Sequence, residues 1–257
     1  MIKVVQFGEG NFLRTFVDAY FDTLNKSGDG KYEVHIVKPI PFGNLDNFKK
    51  QNNKYHIVLR GVENGETVEN VYKVDCVKSV IDPFANQDEF YSLATDEEVK
   101  LIVSNTTEAG ICFNEKDKFT DTPPVSFPAK VTQLLKKRFE MGLDGFVFLP
   151  CELIDKNGET LKNVILQYAK LWDLGDDFIA WVQDKNIFCN TLVDRINTGY
   201  PKDEKIDLDY EMKMMQDFTY ESVLNISDKI QQYFDVAEKR INDIDNYAKR
   251  IINEKYN

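Results

Sequence analysis

The chain has 257 residues, 42% of them hydrophobic, and carries 32 Lys and Arg against 43 Asp and Glu, a formal net charge of −11. That length and apolar content suffice for one large α/β domain, or a domain with an appendage, around a sizeable core. The acidic balance, with a pI near 4.8, argues against a nucleic-acid or anionic-membrane surface, since both require clustered Lys and Arg.

The apolar stretch Ile2-Lys3-Val4-Val5-Gln6-Phe7 runs into Gly8-Glu9-Gly10-Asn11-Phe12-Leu13-Arg14 and then into a helical pattern. A buried strand, a glycine turn and a helix start are the parts from which a doubly wound sheet builds a pyrophosphate cradle. Gly8 is expected to make the tight turn and Gly10 to let phosphates approach the backbone. Leu13 stands where the third glycine of G-x-G-x-x-G belongs, so the motif by itself is weak, and a plain strand-to-helix turn reads equally well.

Phe12, Leu13, Phe16, Val17, Tyr20, Phe21 and Leu24 recur at helical spacing up to a stop at Gly28 to Gly30, and Glu33 to Val37 reads as a second strand. Pro39, Pro41 and Gly43 form the loop beyond it. Tyr55 to Val62 and Thr67 to Val80 are β-rich runs on either side of Asn64-Gly65, which predicts an antiparallel hairpin insertion. A short helix over Asn86 to Thr95 precedes a buried strand from Val99 to Ser104. Ala129 to Met141 is amphipathic, with a basic face at Lys136, Lys137 and Arg138 that reads as solvated. Gly145 to Leu149, closed by Pro150, is the next strand. Gly158 to Trp172 and Asp176 to Asp184 are helices, and Ile187 to Asn190 is a last short strand.

From about Pro201 the pattern changes. Val223, Ile226, Ile230, Tyr233, Ala237, Ile244, Tyr247 and Ile251 fall near heptad positions among charged residues, which predicts an acidic helical tail over 205–257. Its apolar stripe has two candidate partners, the first domain or another copy through 219–252. The expected architecture is therefore a Rossmann-like doubly wound sheet over residues 1–204 with a hairpin insertion, followed by that tail.

No apolar run reaches the roughly 18 residues of a bilayer span, and no basic leader precedes the first strand, so a cytoplasmic protein is expected. Cys76, Cys112, Cys151 and Cys189 form no C-x-x-C pair, so neither a metal site nor a disulfide framework is expected. His35 and His56 sit in β-like runs, and no histidine follows.

Polar clusters at Gly8 to Arg14, Ser104 to Gly110, Cys151 to Gly158 and Asn190 to Arg195 each follow an apolar segment, and a parallel sheet would gather them on one edge. Gln6-Phe7-Gly8-Glu9-Gly10-Asn11-Phe12-Leu13-Arg14, Ser104-Asn105-Thr106-Thr107-Glu108-Ala109-Gly110-Ile111, Pro150 to Gly158 and Phe188 to Ile196 closely resemble segments of the mannitol dehydrogenase family of long-chain polyol dehydrogenases. The resemblance implies an NAD-dependent oxidoreductase that interconverts the keto sugar acid tagaturonate and altronate. It also implies that Phe7, Gly8, Gly10, Asn11, Phe12 and Arg14 belong to the pyrophosphate turn. Asn105, Thr106 and Glu108 would line the nicotinamide side, and Asn157 and Asp194 would be accessory groups toward the substrate.

The chain departs from the family at three places. Leu153 replaces an Asn that helps polarise the carbonyl. Lys38 ends the second strand where an Asp or Glu would bind the ribose 2′-hydroxyl, so NAD over NADP follows from the resemblance alone. The family's motif Lys-x-x-x-x-Asn-x-x-His, which the resemblance makes the proton relay, is absent. Lys185 and Asn190 have its first spacing, but Val193 occupies the histidine position. The expectation is a cofactor half that binds NAD(H) and meets a sugar acid only if a catalytic domain is supplied. The alternatives are a relay supplied by a partner or by Lys239 or Lys249, and a non-catalytic dinucleotide-binding or self-associating protein.

Overall fold

The computed structural model describes residues 1–193 other than Asn44, Asn64 and Glu108, together with Asn197 and the backbone of Lys213–Asp217; Arg60, Val62 and Glu63 are described as backbone only. By contacts the chain divides into two units, residues 1–58 with 71–216 and residues 59–70 with 217–257.

In chain order the first elements are β1 (Ile2–Phe7), α1 (Asn11–Thr15), α2 (Val17–Ser27), β2 (Tyr32–Val37) and α3 (Asp46–Lys50). β3 (Tyr55–Glu63), β4 (Glu66–Val74), β5 (Val77–Ile81), α4 (Gln87–Thr95), β6 (Val99–Ser104) and α5 (Phe127–Glu140) follow. β7 (Val147–Pro150), α6 (Asn157–Leu171), α7 (Asp176–Lys185), β8 (Ile187–Phe188) and β9 (Lys213–Asp217) complete the described elements.

Six strands form one sheet in the order β5-β2-β1-β6-β7-β8, and every described pairing in it is parallel. The chain winds outward from β1 through β2 to β5, returns to β6, and winds outward the other way. That reversal between β1 and β6 is the switch point of a doubly wound fold. Covered on both faces, the central strands are near-continuous apolar runs, which is why Val4, Val5 and Phe7 of β1 are all buried.

Alternate residues of β1 serve opposite layers. Val5 and Phe7 join the core built with α4, α5, α6 and α7. There Phe7 meets Phe127 at 4.9 Å and Phe90 at 6.3 Å between ring centroids. The helix starts carry local signals. The Asn86 side chain accepts from the Glu89 N–H at 3.2 Å, an N-cap opening α4, and its amide donates to the Glu89 carboxylate at 3.0 Å. Ser126 caps α5, with Pro128 in its first turn.

The structure corrects several expectations. The run from Thr67 to Val80 is two strands, and only the first belongs to the hairpin. After Val74 the chain turns into the main sheet, because the Asp75 N–H donates to Asp22 at 2.8 Å and the Cys76 carbonyl accepts from the Val34 N–H at 3.0 Å. β5 then pairs with β2. Beyond the expected loop at Pro39 to Gly43, a stretch given no element holds α3, a single turn whose Phe48 is buried. A second sheet has the order β4-β3-β9. β9 falls inside the stretch expected to be helical. Its Lys, Met and Gln are good helix formers, so here pairing with β3 overrides local propensity. The remainder of 205–257, including the heptad-like stripe, lies outside the described residues.

Arg138 was expected on a solvated basic face, yet it is 1% exposed. Its guanidinium lies 4.2 Å from the Phe146 ring centroid. It donates to the carbonyls of Ala94 at 3.2 Å, Asp96 at 3.0 Å and Val99 at 3.2 Å, and also to that of Asp144. A planar five-donor fork suits four converging carbonyls, and an ammonium does not. Arg138→Lys is therefore expected to lower stability by about 2–4 kcal/mol, read as a lower urea midpoint with an unchanged m-value.

Candidate cofactor site

The strand register sets Ile81 beside Val37, Val37 beside Phe7, Phe7 beside Ser104, and Ser104 beside Pro150. The residues that follow each strand therefore leave from one carboxyl rim. Gly8 turns the chain at φ +128, a conformation open almost only to glycine. A Cβ there would lie 2.9 Å from the Asn105 carbonyl oxygen and 3.3 Å from Leu13. Leu13, in the place of the missing third glycine, is 1% exposed and packs under the turn.

Gly10 is the N-cap of α1, at φ −70 and ψ 165, and its side makes no cap hydrogen bond. Nothing lies within 4 Å of where its Cβ would stand. The first-turn amides of α1 are thus bordered by open space, where a phosphate can approach the backbone. Asn11 and Phe12 are half-buried on that turn.

Across the switch point, the Asn105 N–H donates to the Phe7 carbonyl at 3.0 Å. Its side-chain amide donates to the Cys151 carbonyl at 2.6 Å. Glu152, 1% exposed, braces this edge. Its carboxylate accepts from the Thr106 N–H at 3.0 Å, the Thr106 hydroxyl at 2.9 Å and the Ser104 hydroxyl at 3.1 Å. Thr107 follows in the left-handed region at φ 75. Nothing in the sequence pattern singled out Glu152, although an acid directly after a buried strand end invites the question of what it accepts.

Asn157 is fully buried and works as a second brace. Its amide donates to the carbonyls of Pro150 at 2.9 Å and Glu152 at 3.1 Å and to the Thr191 hydroxyl at 3.0 Å. Its carbonyl oxygen accepts from the Gly158 and Thr191 N–H groups, each at 2.9 Å. Asn190 exchanges hydrogen bonds with Glu159, and Asn197 donates to the Thr15 hydroxyl at 3.1 Å. The segment after β8 is thereby tied to α6 and back to α1. Neither Asn190 nor Lys185 at the end of α7 is placed with a histidine.

Two of the residues assigned to the turn face elsewhere. Phe7 is in the core, and its carbonyl is taken by the Asn105 N–H. Arg14, 4% exposed, donates to the Asn11 side chain at 2.6 Å, with its guanidinium 5.1 Å from the Phe48 ring and 5.8 Å from that of Tyr55. Beside it, burial pushes the Asp18 carboxyl up to about 7, against the pull of the Tyr55 hydroxyl 2.6 Å away and of Arg14. Glu108 and Asp194 lie outside the described residues.

On the β2 and β5 side, Lys38 is 5% exposed and ion-paired with Asp82. Glu9 stands near them, its carboxyl pushed up by burial against the opposing pull of Lys38 and Arg14. No group of His, Cys, Asp and Glu among the described residues is arranged to hold a metal. No helix among them is long and apolar enough to cross a membrane.

A glycine turn and an open helix start at the switch point of a doubly wound parallel sheet define a Rossmann-type domain, and their backbone donors fit a dinucleotide pyrophosphate. Residues 2–237 match the model of the mannitol dehydrogenase Rossmann domain, and the chain belongs to the mannitol dehydrogenase family. It is 45% identical over 221 residues to an altronate oxidoreductase of Yersinia enterocolitica, covering 84% of this chain and 46% of that protein. Over the same length and shares it is 44% identical to the altronate oxidoreductase of Shigella flexneri. The chain thus spans about half the length of these relatives. Among solved structures, mannitol 2-dehydrogenase of Pseudomonas fluorescens, in a ternary complex with NAD and D-mannitol, superposes with a TM-score of 0.73 at 16% identity. That match covers 84% of this chain and 47% of that one. A D-sorbitol dehydrogenase in substrate-free form gives 0.67 at 20% identity, over 84% and 49% of the two chains.

Proposed function

We propose that this chain binds NAD(H) on its carboxyl rim and is the cofactor half of an oxidoreductase that interconverts tagaturonate and altronate. The observation that carries the reading is the Gly8 to Phe12 turn: a glycine-only bend packed on Asn105, followed by an uncapped Gly10 with open space above it. The altronate oxidoreductases at 44–45% identity support the substrate class. Bound nicotinamide would accept or donate the hydride at C4.

This chain's own residues bind and orient. The turn holds the pyrophosphate, while Glu152 and Asn157 hold the loops after β6 and β7 in a fixed geometry for the nicotinamide end, leaving Asn105 and Thr106 to border it. The proton relay is a separate matter. His35 and His56 are the two histidines of the sequence and sit in β2 and β3, and no Lys-x-x-x-x-Asn-x-x-His is present. The 257-residue chain is therefore expected to bind the cofactor without turning over the sugar acid.

The test is a titration of the purified chain with NADH, followed by fluorescence, alongside an assay of NADH oxidation with tagaturonate. Saturable binding with no turnover is expected. No binding overturns the cofactor reading, and steady turnover overturns the assignment of the proton relay to residues outside this sequence.

A further inference from the structure

Rossmann-type folds commonly place an acid at the end of the second strand, where it accepts the adenosine ribose 2′-hydroxyl, or a cation where a 2′-phosphate is bound. Lys38 at that point would by itself favour the phosphate. Its surroundings reverse that reading. β2 and β5 are in register, with Val37 beside Ile81, and the Lys38 N–H donates to the Ile81 carbonyl at 3.0 Å. Lys38 and Asp82 therefore leave the rim side by side. The lysine side chain is 6% exposed, ion-paired with Asp82 and within 3.5 Å of the Pro41 carbonyl. Asp82 keeps 25% exposure, and the Phe84 N–H holds its other oxygen at 3.0 Å. The cation is buried and neutralised within the protein, while the carboxylate still reaches solvent.

Glu9 adds a second acid. It leaves the neighbouring end of β1, and its Oε1 lies 3.1 Å from where a Cβ on Gly43 would stand, so it faces the loop after β2. Around this corner of the rim Asp82 and Glu9 face the ammonium of Lys38. The neighbouring cations are withdrawn from the surface: Lys130, fully buried with its ammonium 4.9 Å from the Phe84 ring centroid, donates to the Val125 carbonyl, and Arg14 is buried against Phe48 and Tyr55.

We propose that Asp82, held by Lys38, makes this rim select NAD over NADP, accepting the ribose 2′-hydroxyl and repelling a 2′-phosphate. The acid that the fold expects at the end of β2 is supplied by the next strand over. This rests on the dinucleotide reading above.

The experiment compares NADH and NADPH by equilibrium fluorescence titration of the 257-residue chain. Wild type is expected to bind NADH at least about tenfold more tightly than NADPH. Asp82→Asn should shrink that ratio about tenfold, chiefly by tightening NADPH, and Asp82→Glu should preserve it. Loss of fold weakens both nucleotides and cannot strengthen NADPH. If Asp82→Asn does not fold, the wild-type ratio still reports, because added salt screens the repulsion and should bring NADPH closer to NADH. Equal wild-type affinities, a ratio unmoved in Asp82→Asn, or a ratio insensitive to salt overturns the proposal while leaving dinucleotide binding intact. If wild type binds neither nucleotide, it is the cofactor reading that fails.

Discussion

Gly8→Ala is expected to weaken NADH binding about 30-fold or more and to destabilise the chain by about 2 kcal/mol. Two physical effects act together. At φ +128 an L-residue is strained wherever it stands, and here its Cβ would also press on the Asn105 carbonyl at 2.9 Å. Asn105 is not free to retreat, because its N–H is bonded to Phe7 and its side chain to Cys151. The turn must open instead, which moves the amides of α1 away from the position they hold for a phosphate. Gly10→Ala is the internal contrast. Its Cβ meets nothing in the protein and its φ is ordinary, so the fold should be unaffected while the methyl group intrudes on the ligand's side. A Gly8→Ala chain with wild-type NADH affinity and midpoint would show that the turn carries no such constraint.

Glu152→Ala is expected to cost about 3 kcal/mol, since it leaves the half-buried Thr106 N–H and hydroxyl and the buried Ser104 hydroxyl without their common acceptor. For a domain of this size that corresponds to a fall of about 6–12 °C in the melting temperature. Glu152→Gln should cost much less. Its amide oxygen can take the place of Oε1 for the two Thr106 donors, and the Ser104 hydroxyl can rotate to accept from the amide nitrogen. Because Glu152 braces the loop proposed to border the nicotinamide, NADH binding should fall in the alanine variant even at temperatures where it remains folded. Equal melting temperatures for the alanine variant and wild type would remove Glu152 from the account.

Much of the scaffold was legible because it rests on local pattern. Apart from β5, the strands of the parallel sheet announce themselves as apolar runs, and Gly28 ends α2 in the left-handed conformation. The start of α5 at Phe127, two residues ahead of the amphipathic run, is set by the Ser126 cap. The glycine turn was legible for the same reason, since Gly8 and Gly10 act through backbone conformation and space. Residues whose role depends on distant partners were not. Arg14 reads as a phosphate ligand next to the turn, but Phe48 and Tyr55, far along the chain, supply the aromatic faces that draw it inward. Arg138 reads as one member of a basic run, and only the fold brings four carbonyls around it. Lys38 likewise reads as a basic residue in the place of the ribose acid, and only β5 brings Asp82 beside it. β5 was hidden for the converse reason, its β-rich residues being continuous with the hairpin and only the anchors at Asp75 and Cys76 dividing the two.

On the proposed reading a dinucleotide lies across the turn after β1 and the loop after β6. Mapping the backbone amide shifts of the isotope-labelled chain as NAD is added tests this. Saturable changes are expected, concentrated at Gly8, Gly10, Asn11, Asn105 and Thr106. Saturable changes centred instead on the amino ends of the strands or on α7, with those five amides unmoved, would contradict it.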